Sequence, residues 1–174
     1  MKKLRFRPTS SLVKEALFNI VGPLDGQKVL DLFGGSGFVA FEALDLGAKK
    51  AVIVEKDRET FTEMVKRTNL RENSNSFELY RQCALVAMRV LSKKGKKFDL
   101  IYIDPPYDSP IYENVMQSQY LPLLVEEKGI VVVEHSSKIE VECYVAESFE
   151  ILKRKRYGGT LLTFLKRKDI NKNG

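Results

Sequence analysis

Asp104-Pro105-Pro106-Tyr107 ends an apolar run, "FDLIYID" (98–104), and its residue types could do chemistry. Proline has no backbone N–H and cannot continue a ladder, so the strand must stop at Asp104. Two successive prolines fix the chain so that carbonyl oxygens project into any cleft opening there. Asp104 adds carboxylate acceptors and Tyr107 a flat aromatic face. Such parts suit an exocyclic amine on a planar base. Tyr107 would stack on the ring, while Asp104 and the Pro105 carbonyl accept hydrogen bonds from the amino group. The nitrogen lone pair would then face an electrophilic carbon, and catalysis would be largely positioning. A base treated this way must leave its stack or already be single-stranded. A purely structural strand-to-helix turn is the plainer reading, and it explains one proline better than the whole motif.

A second constellation is "LDLFGGSGF" (30–38). It lacks the Lys-Ser/Thr of a phosphate-cradling P-loop. Gly35, Gly37 and Ala40 match the G-x-G-x-x-A spacing of a nucleoside-cofactor turn, and Glu55, twenty residues after Gly35, stands where an acid can hold ribose hydroxyls. The turn Gly34, Gly35, Ser36, Gly37 suits either NAD or S-adenosylmethionine, and a tight turn with no ligand is the bland alternative. Asp31 tilts the choice: a carboxylate there would repel a pyrophosphate but could approach a cationic methionine moiety. Lys56, next to Glu55, joins the candidate cofactor residues.

These residues need elements to hold them. Strand-like runs occupy 28–33, 51–55, 77–80, 98–104 and 129–135, several of them apolar at consecutive positions, as in strands buried on both faces. Helix-like segments fall at about 36–47, 57–72, 83–94 and 109–127, the last with Ser109 at the N-cap and Pro110 at the first helical position. "SSLVKEALFNIV" reads as an extra leading helix with Leu12, Val13, Ala16, Leu17 and Ile20 on one face. A late hairpin is expected over 149–167, turning at Gly158-Gly159. The pattern predicts a doubly wound α/β fold with a mostly parallel seven-stranded sheet and a C-terminal antiparallel hairpin. One domain spans 1–168, with a basic segment and helix over 1–22 and a disordered tail over 169–174.

The chain has 174 residues and a net charge of +6, and its base is clustered in Lys2, Lys3, Arg5 and Arg7, in "KKGKK" (93–97) and in "KRKR" (153–156). Clustered base suits a polyanionic partner; solvated loops are the alternative. No apolar run is long enough for a membrane helix. Cys83 and Cys143 have neither metal-ligand spacing nor a disulfide framework, so reduced thiols, a cytoplasmic protein and no metal are expected. His135, the only histidine, has no partner acid nearby in sequence and reads as structural. Glu134 and Lys138 read as structural or RNA-facing. Phe33, Phe38 and Phe41 read as core, and "KKGKK" as a helix end turning into the fourth strand.

"RPTSSLVKEALFNI", "VLDLFGGSG", "VIVEKD", "FDLIYIDPPY" and "RYGGT" together resemble the RsmD family of bacterial methyltransferases, in the family's order and from Arg7 to about Lys166. The resemblance implies a class I, Rossmann-like enzyme that uses S-adenosylmethionine to methylate a guanine N2 amine in 16S ribosomal RNA. It implies that Gly34 to Gly37 hold the methionine part of the cofactor, Glu55 its ribose, and that Asp104 to Tyr107 are catalytic. Arg7, Pro8 and Thr9 match the family's "RPT", near the cofactor and cleft. Tyr157, Gly158 and Thr160 match the late hairpin, a structural element that adds to the cleft wall. Two departures stand out. The family carries a basic, glycine-containing leader before "RPT", whereas six residues precede Arg7 here, so either Lys2, Lys3 and Arg5 serve alone or the chain is a fragment. The family also has Asp or Asn after the third strand, accepting from the adenine amine, where this chain has Cys83, a weak acceptor; backbone groups around Cys83 and Ala84 would serve instead.

The expectation is therefore an S-adenosylmethionine-dependent methyltransferase acting as a monomer on 16S rRNA or the small ribosomal subunit. An adenine-N6 DNA methyltransferase also uses "DPPY", but there is no insertion large enough for a DNA-recognition domain. A non-catalytic RNA-binding module would not need Asp104, Tyr107 and the glycine turn together. An NAD-dependent oxidoreductase is the most distant alternative.

Overall fold

The computed structural model describes residues 11–106 and 110–168. The basic segment with Arg7, Pro8 and Thr9, the catalytic candidate Tyr107, the cap candidate Ser109 and the expected tail at 169–174 lie outside the described residues. The elements in chain order are α1 (Ser11–Val21), β1 (Lys28–Asp31), α2 (Phe38–Asp45), β2 (Lys50–Val54), α3 (Arg58–Asn69), β3 (Phe77–Tyr80), α4 (Ala84–Lys93), β4 (Phe98–Ile103), α5 (Ile111–Met116), β5 (Val125–Ser136), β6 (Phe149–Tyr157) and β7 (Thr160–Arg167). They build one seven-stranded sheet in the order β3-β2-β1-β4-β5-β7-β6. The first five strands are parallel, while β7 runs antiparallel to β5 and β6 antiparallel to β7. This is the expected doubly wound α/β sheet with its closing hairpin.

The apolar strand runs exist because both faces are covered. Leu30, Val52, Ile101, Ile103, Val131 and Val133 point into a layer closed by Ala87, Met88 and Leu91 of α4 and by Tyr112, Val115 and Met116 of α5. Alternate residues, Val29, Ala51, Ile53, Leu100 and Val132, meet Val13 and Leu17 of α1, Val39 and Phe41 of α2 and Met64 of α3 on the other face. Each fully buried aliphatic side chain adds roughly 1.5–3 kcal/mol, which is why consecutive valines are affordable in β5 only between two helical layers. Leu12, expected on the apolar face of α1, is instead 59% exposed, and the buried stripe is the narrower pair Val13 and Leu17.

The fourth helical segment differs most from expectation. Instead of a helix over 109–127, α5 covers only Ile111–Met116, with Pro110 at its N-cap position, and a 3-10 turn follows at Pro122–Leu124. Pro122 lacks the N–H that a continuing helix needs. Val125 already pairs with Phe98, so the chain must be extended by that point. The first rungs of this ladder are irregular: Phe98 pairs with Val125, but Leu100 pairs with Ile130. Gly129 sits at this slip, where a Cβ would lie 2.8 Å from the Phe98 carbonyl oxygen and 3.0 Å from the Glu126 nitrogen. Backbone cannot yield as a flexible side chain can, so Gly129→Ala should cost about 1–3 kcal/mol, the usual range for overpacking. Urea denaturation should show a lower midpoint; an unchanged midpoint would mean the slip opens without strain.

Candidate active site

The strand order reverses between β1 and β4, because the chain winds outward through β2 and β3 and then returns to the other side of β1. Loops leaving these two neighbours diverge, and a crevice opens at their C-terminal ends. Asp31 and Tyr102 are paired across this ladder, and the Leu32 amide donates to the Tyr102 carbonyl at 3.1 Å. The glycine turn leaves from β1 and the Asp104 motif from β4, so the fold brings both constellations to one edge. Asp104 is half-buried, Pro105 buried and Pro106 exposed.

The glycines are required by contact. The Gly34 amide donates to the Val54 carbonyl at 2.8 Å, and a Cβ on Gly34 would fall 2.2 Å from Ile53 Cγ2. The turn therefore lies flat on the end of β2. Gly35 and Gly37 then take left-handed backbone, φ 47° and 75°, which favours glycine. The Gly37 amide closes on the Gly34 carbonyl at 2.6 Å, and Arg67 of α3 donates through Nη1 to the exposed Ser36 carbonyl at 2.5 Å. Sequence reasoning had not found Arg67, since nothing local ties it to Ser36.

Glu55 follows β2 and is half-buried, with the exposed Lys56 after it. Its carboxylate accepts from the Gly35 amide at 2.9 Å and from the Asp57 amide at 2.7 Å. Each oxygen keeps a further lone pair for a hydroxyl donor. Cys83 is the N-cap residue of α4 but makes no side-chain capping bond, and Ala84 behind it is buried. Gln82 Oε1, adjacent, is a buried acceptor without a hydrogen-bond partner among the described residues.

Asp31 is 2% exposed. Burial pushes its carboxyl up to about 7; the Phe33 amide partly opposes this and repulsion from Glu55 adds to it. A site floor with two carboxylates, one of them strained by desolvation, suits a cationic ligand group and disfavours a pyrophosphate. The tight, flat turn and the charge pattern thus fit S-adenosylmethionine better than NAD.

Beneath Asp104 lies a buried pair that the sequence did not reveal. Tyr102 Oη donates to Glu134 Oε2, both residues are 3% exposed, and Tyr112 Oη donates to the Glu134 carbonyl at 3.0 Å. Burial, followed by the charges of Asp104 and Glu134, raises the Tyr102 phenol well above its ordinary value, so it stays a donor. Glu134, expected to be structural or RNA-facing, is structural. Lys14 of α1 lies 3.6 Å from the Phe38 ring centroid; burial lowers its pKa, and attraction to Glu134 and Glu42 opposes that. His135 is 1% exposed, with Nδ1 against the Ser136 carbonyl at 3.0 Å and Nε2 against Thr163 Oγ1 at 2.9 Å. Burial lowers its pKa and keeps the ring neutral, in agreement with a structural role. Among the described residues no group of three or more His, Cys, Asp and Glu could hold a metal ion, and no helix is long and apolar enough to cross a membrane.

A family model described as conserved hypothetical protein 95 matches residues 1–166. The chain is 30% identical over 163 residues to the Bacillus subtilis protein YlbH, covering 93% of this chain and 88% of that protein. It is 31% identical over 138 residues to ribosomal RNA small subunit methyltransferase D of Escherichia coli, covering 78% of this chain and 64% of that protein. A solved structure of a conserved hypothetical protein from Streptococcus pyogenes superposes with a TM-score of 0.75 at 31% identity, over 90% of this chain and 96% of that one.

The buried Asp31 gives a pH signature. Its folded pKa lies above the unfolded value of 3.8, so its contribution is fully present below about pH 4 and is lost as pH rises through 7. At pH 8 the ionised group should destabilise the ligand-free protein by up to about 4 kcal/mol. Asp31→Asn should therefore match the parent chain at pH 4, gain relative stability from pH 4 to 7 and level off above. Urea midpoints across this range test it; a pH-independent difference would place solvent or a cation at Asp31.

Proposed function

From the premise that the chain belongs to the conserved hypothetical protein 95 family, we propose that it is an S-adenosylmethionine-dependent ribosomal RNA methyltransferase whose target is the exocyclic N2 amine of a guanine in the small subunit. The observation that supports this best is the convergence of the glycine turn, Glu55 and the Asp104 motif on the one edge where β1 and β4 diverge. The RNA and small-subunit assignment rests on the Escherichia coli relative's name, and guanine N2 on the family likeness. A cytoplasmic monomer is the matching setting.

Gly34 to Gly37, with Asp31 below, would hold the methionine part of S-adenosylmethionine. Glu55 and Lys56 would hold the ribose, and backbone groups at Cys83 and Ala84 the adenine. Arg7 and Thr9, which match the family's "RPT", would join the cofactor-binding residues. The cofactor supplies an electrophilic methyl on a sulfonium. This chain's part is to place the nucleophile. Asp104 and the Pro105 carbonyl accept from the amine and fix its rotation, Pro106 stiffens the loop, and Tyr107 stacks on the base. Tyr102 and Glu134 pin the end of β4, so Asp104 projects from a floor that cannot shift easily.

Two measurements test this reading. S-adenosylmethionine at 100 times its dissociation constant should stabilise the protein by about 2.7 kcal/mol, a thermal shift of several degrees, whereas NAD should give none. A shift with NAD alone would overturn the cofactor assignment. Asp104→Ala should lower the single-turnover rate about 10²–10³-fold, by analogy with loss of one well-placed polar group at a reacting centre, with cofactor affinity within a few-fold. Tyr107→Phe should be mild if the ring acts by stacking. Near-normal transfer by Asp104→Ala would sink the positioning mechanism. Mapping the labelled base in small-subunit RNA would separate guanine N2 from adenine N6.

A further inference from the structure

Strand β6 forms one edge of the sheet, and its charges are distributed unevenly. Residues 151–156 are all exposed. The half remote from the crevice presents Ile151 and Leu152, 40% and 48% exposed, while the other half carries Lys153, Arg154, Lys155 and Arg156. Edge strands often bear lysines to block pairing with another chain. That need would be greatest at Ile151 and Leu152, and the charges lie beyond them.

The ladder register places these cations. Arg154 pairs with Thr163, Thr163 with Val133, and Val133 with Ile103. The rung through Arg154 thus ends on the residue before Asp104. Three interstrand steps separate β6 from β4, about 14 Å at the usual spacing. The Gly158-Gly159 turn lies at the same edge, where the Ser137 amide donates to the Gly159 carbonyl at 2.9 Å. The arginines are held to the protein: Arg154 is ion-paired with Glu142, and Arg156 donates through Nε to the Gly158 carbonyl at 2.9 Å. Lys153 and Lys155 pair with Phe164 and Leu162, so they share the α1 side of the sheet, and neither forms an ion pair among the described residues.

We propose that the end of the β6–β7 hairpin is an RNA-backbone docking surface, on which Lys153 and Lys155 engage phosphates of the strand flanking the target base. The proposal rests on the methyltransferase reading above and adds where the polyanion lies. Phosphate contacts fix register and orientation without reading sequence, which a positioning mechanism at Asp104 needs. The other internal basic run, "KKGKK" (93–97), joins the end of α4 to the start of β4, at the opposite end of the sheet. It provides a charge-matched control.

Lys153→Gln/Lys155→Gln should be compared with Lys93→Gln/Lys97→Gln, all four side chains being exposed. Substrates are an unmethylated small-subunit rRNA transcript and isolated small subunits lacking the modification. In the hairpin variant, the log–log salt slope of transcript binding should fall by about 1.4, and KM should rise about tenfold near 0.15 M salt, with kcat within about twofold. The control pair should change neither measurably. Equal effects of the two variants would reduce the hairpin to bulk charge and overturn the proposal. A defect with subunits but not with the transcript would point to a ribosomal-protein contact and overturn it as well. Transfer by the parent chain to neither substrate would fail the methyltransferase reading, while the binding slopes would still decide the hairpin.

Discussion

The parallel pairing of β1 with β4 is the constraint on which the site depends. It sets Asp31 opposite Tyr102, and the glycine turn, Glu55 and Asp104 each follow within a few residues of that rung or of its neighbour Ile53 in β2. A parallel ladder requires a long crossover between its strands, and here the crossover contains α2, β2, α3, β3 and α4. The glycine turn and the Asp104 motif are therefore distant in sequence, but the strands that carry them are joined by hydrogen bonds. A one-residue slip would turn Asp31 and Tyr102 onto the opposite face and dismantle both halves together.

Such an edge is electrostatically costly, and the protein manages the cost unevenly. Asp31, Glu55, Asp104 and Glu134 place four carboxylates near the C-terminal ends of β1, β2, β4 and β5. Glu134 is relieved by the Tyr102 phenol, with Lys14 as a nearby cation. Glu55 is relieved by two backbone amides. Asp31 receives one long bond from Phe33 at 3.3 Å, and Glu55 repels it. Asp31 thus stays under-compensated at the end of β1, and on the proposed reading a sulfonium or ammonium bound there would return the free energy that burial withholds. On that reading, stability surrendered in the ligand-free state would become selectivity for a cationic cofactor.

How much of this was legible in the sequence follows from how local each cause is. The strands of the parallel core could be read because two-sided burial demands unbroken apolar runs such as "GIVVVEH". The glycine turn could be read because left-handed backbone at Gly35 and Gly37, and the contact of Gly34 with Ile53, leave few other residue types possible. The length of α5 could not. Leu121 to Val125 are apolar in either state, and what ends the helical course is a pairing of Val125 with Phe98, 27 positions earlier in the chain. The Tyr102–Glu134 bond and the Arg67 contact to Ser36 were hidden for the same reason, since each joins elements whose adjacency is decided by topology. Glu134 gave one faint signal, a charge within an apolar strand.

The sheet's asymmetry then separates the work. Its parallel half ends in loops that converge on the crevice, because parallel strands all present their C-termini to one edge. Its antiparallel end adds a two-residue turn at Gly158-Gly159 and an exposed edge strand. A parallel strand at that position would need another crossover helix, which would cover the edge. The antiparallel hairpin leaves it open and delivers consecutive basic residues to the level of Asp104. These cations are all exposed, and the nearest buried carboxylate, Glu134, lies two strands away on the rung of Lys155, about 10 Å at the usual spacing, so solvent and salt weaken their mutual attraction. A negatively charged crevice floor and a positively charged rim can then coexist, and on the proposed reading the first would suit a cationic cofactor and the second a polyanionic substrate.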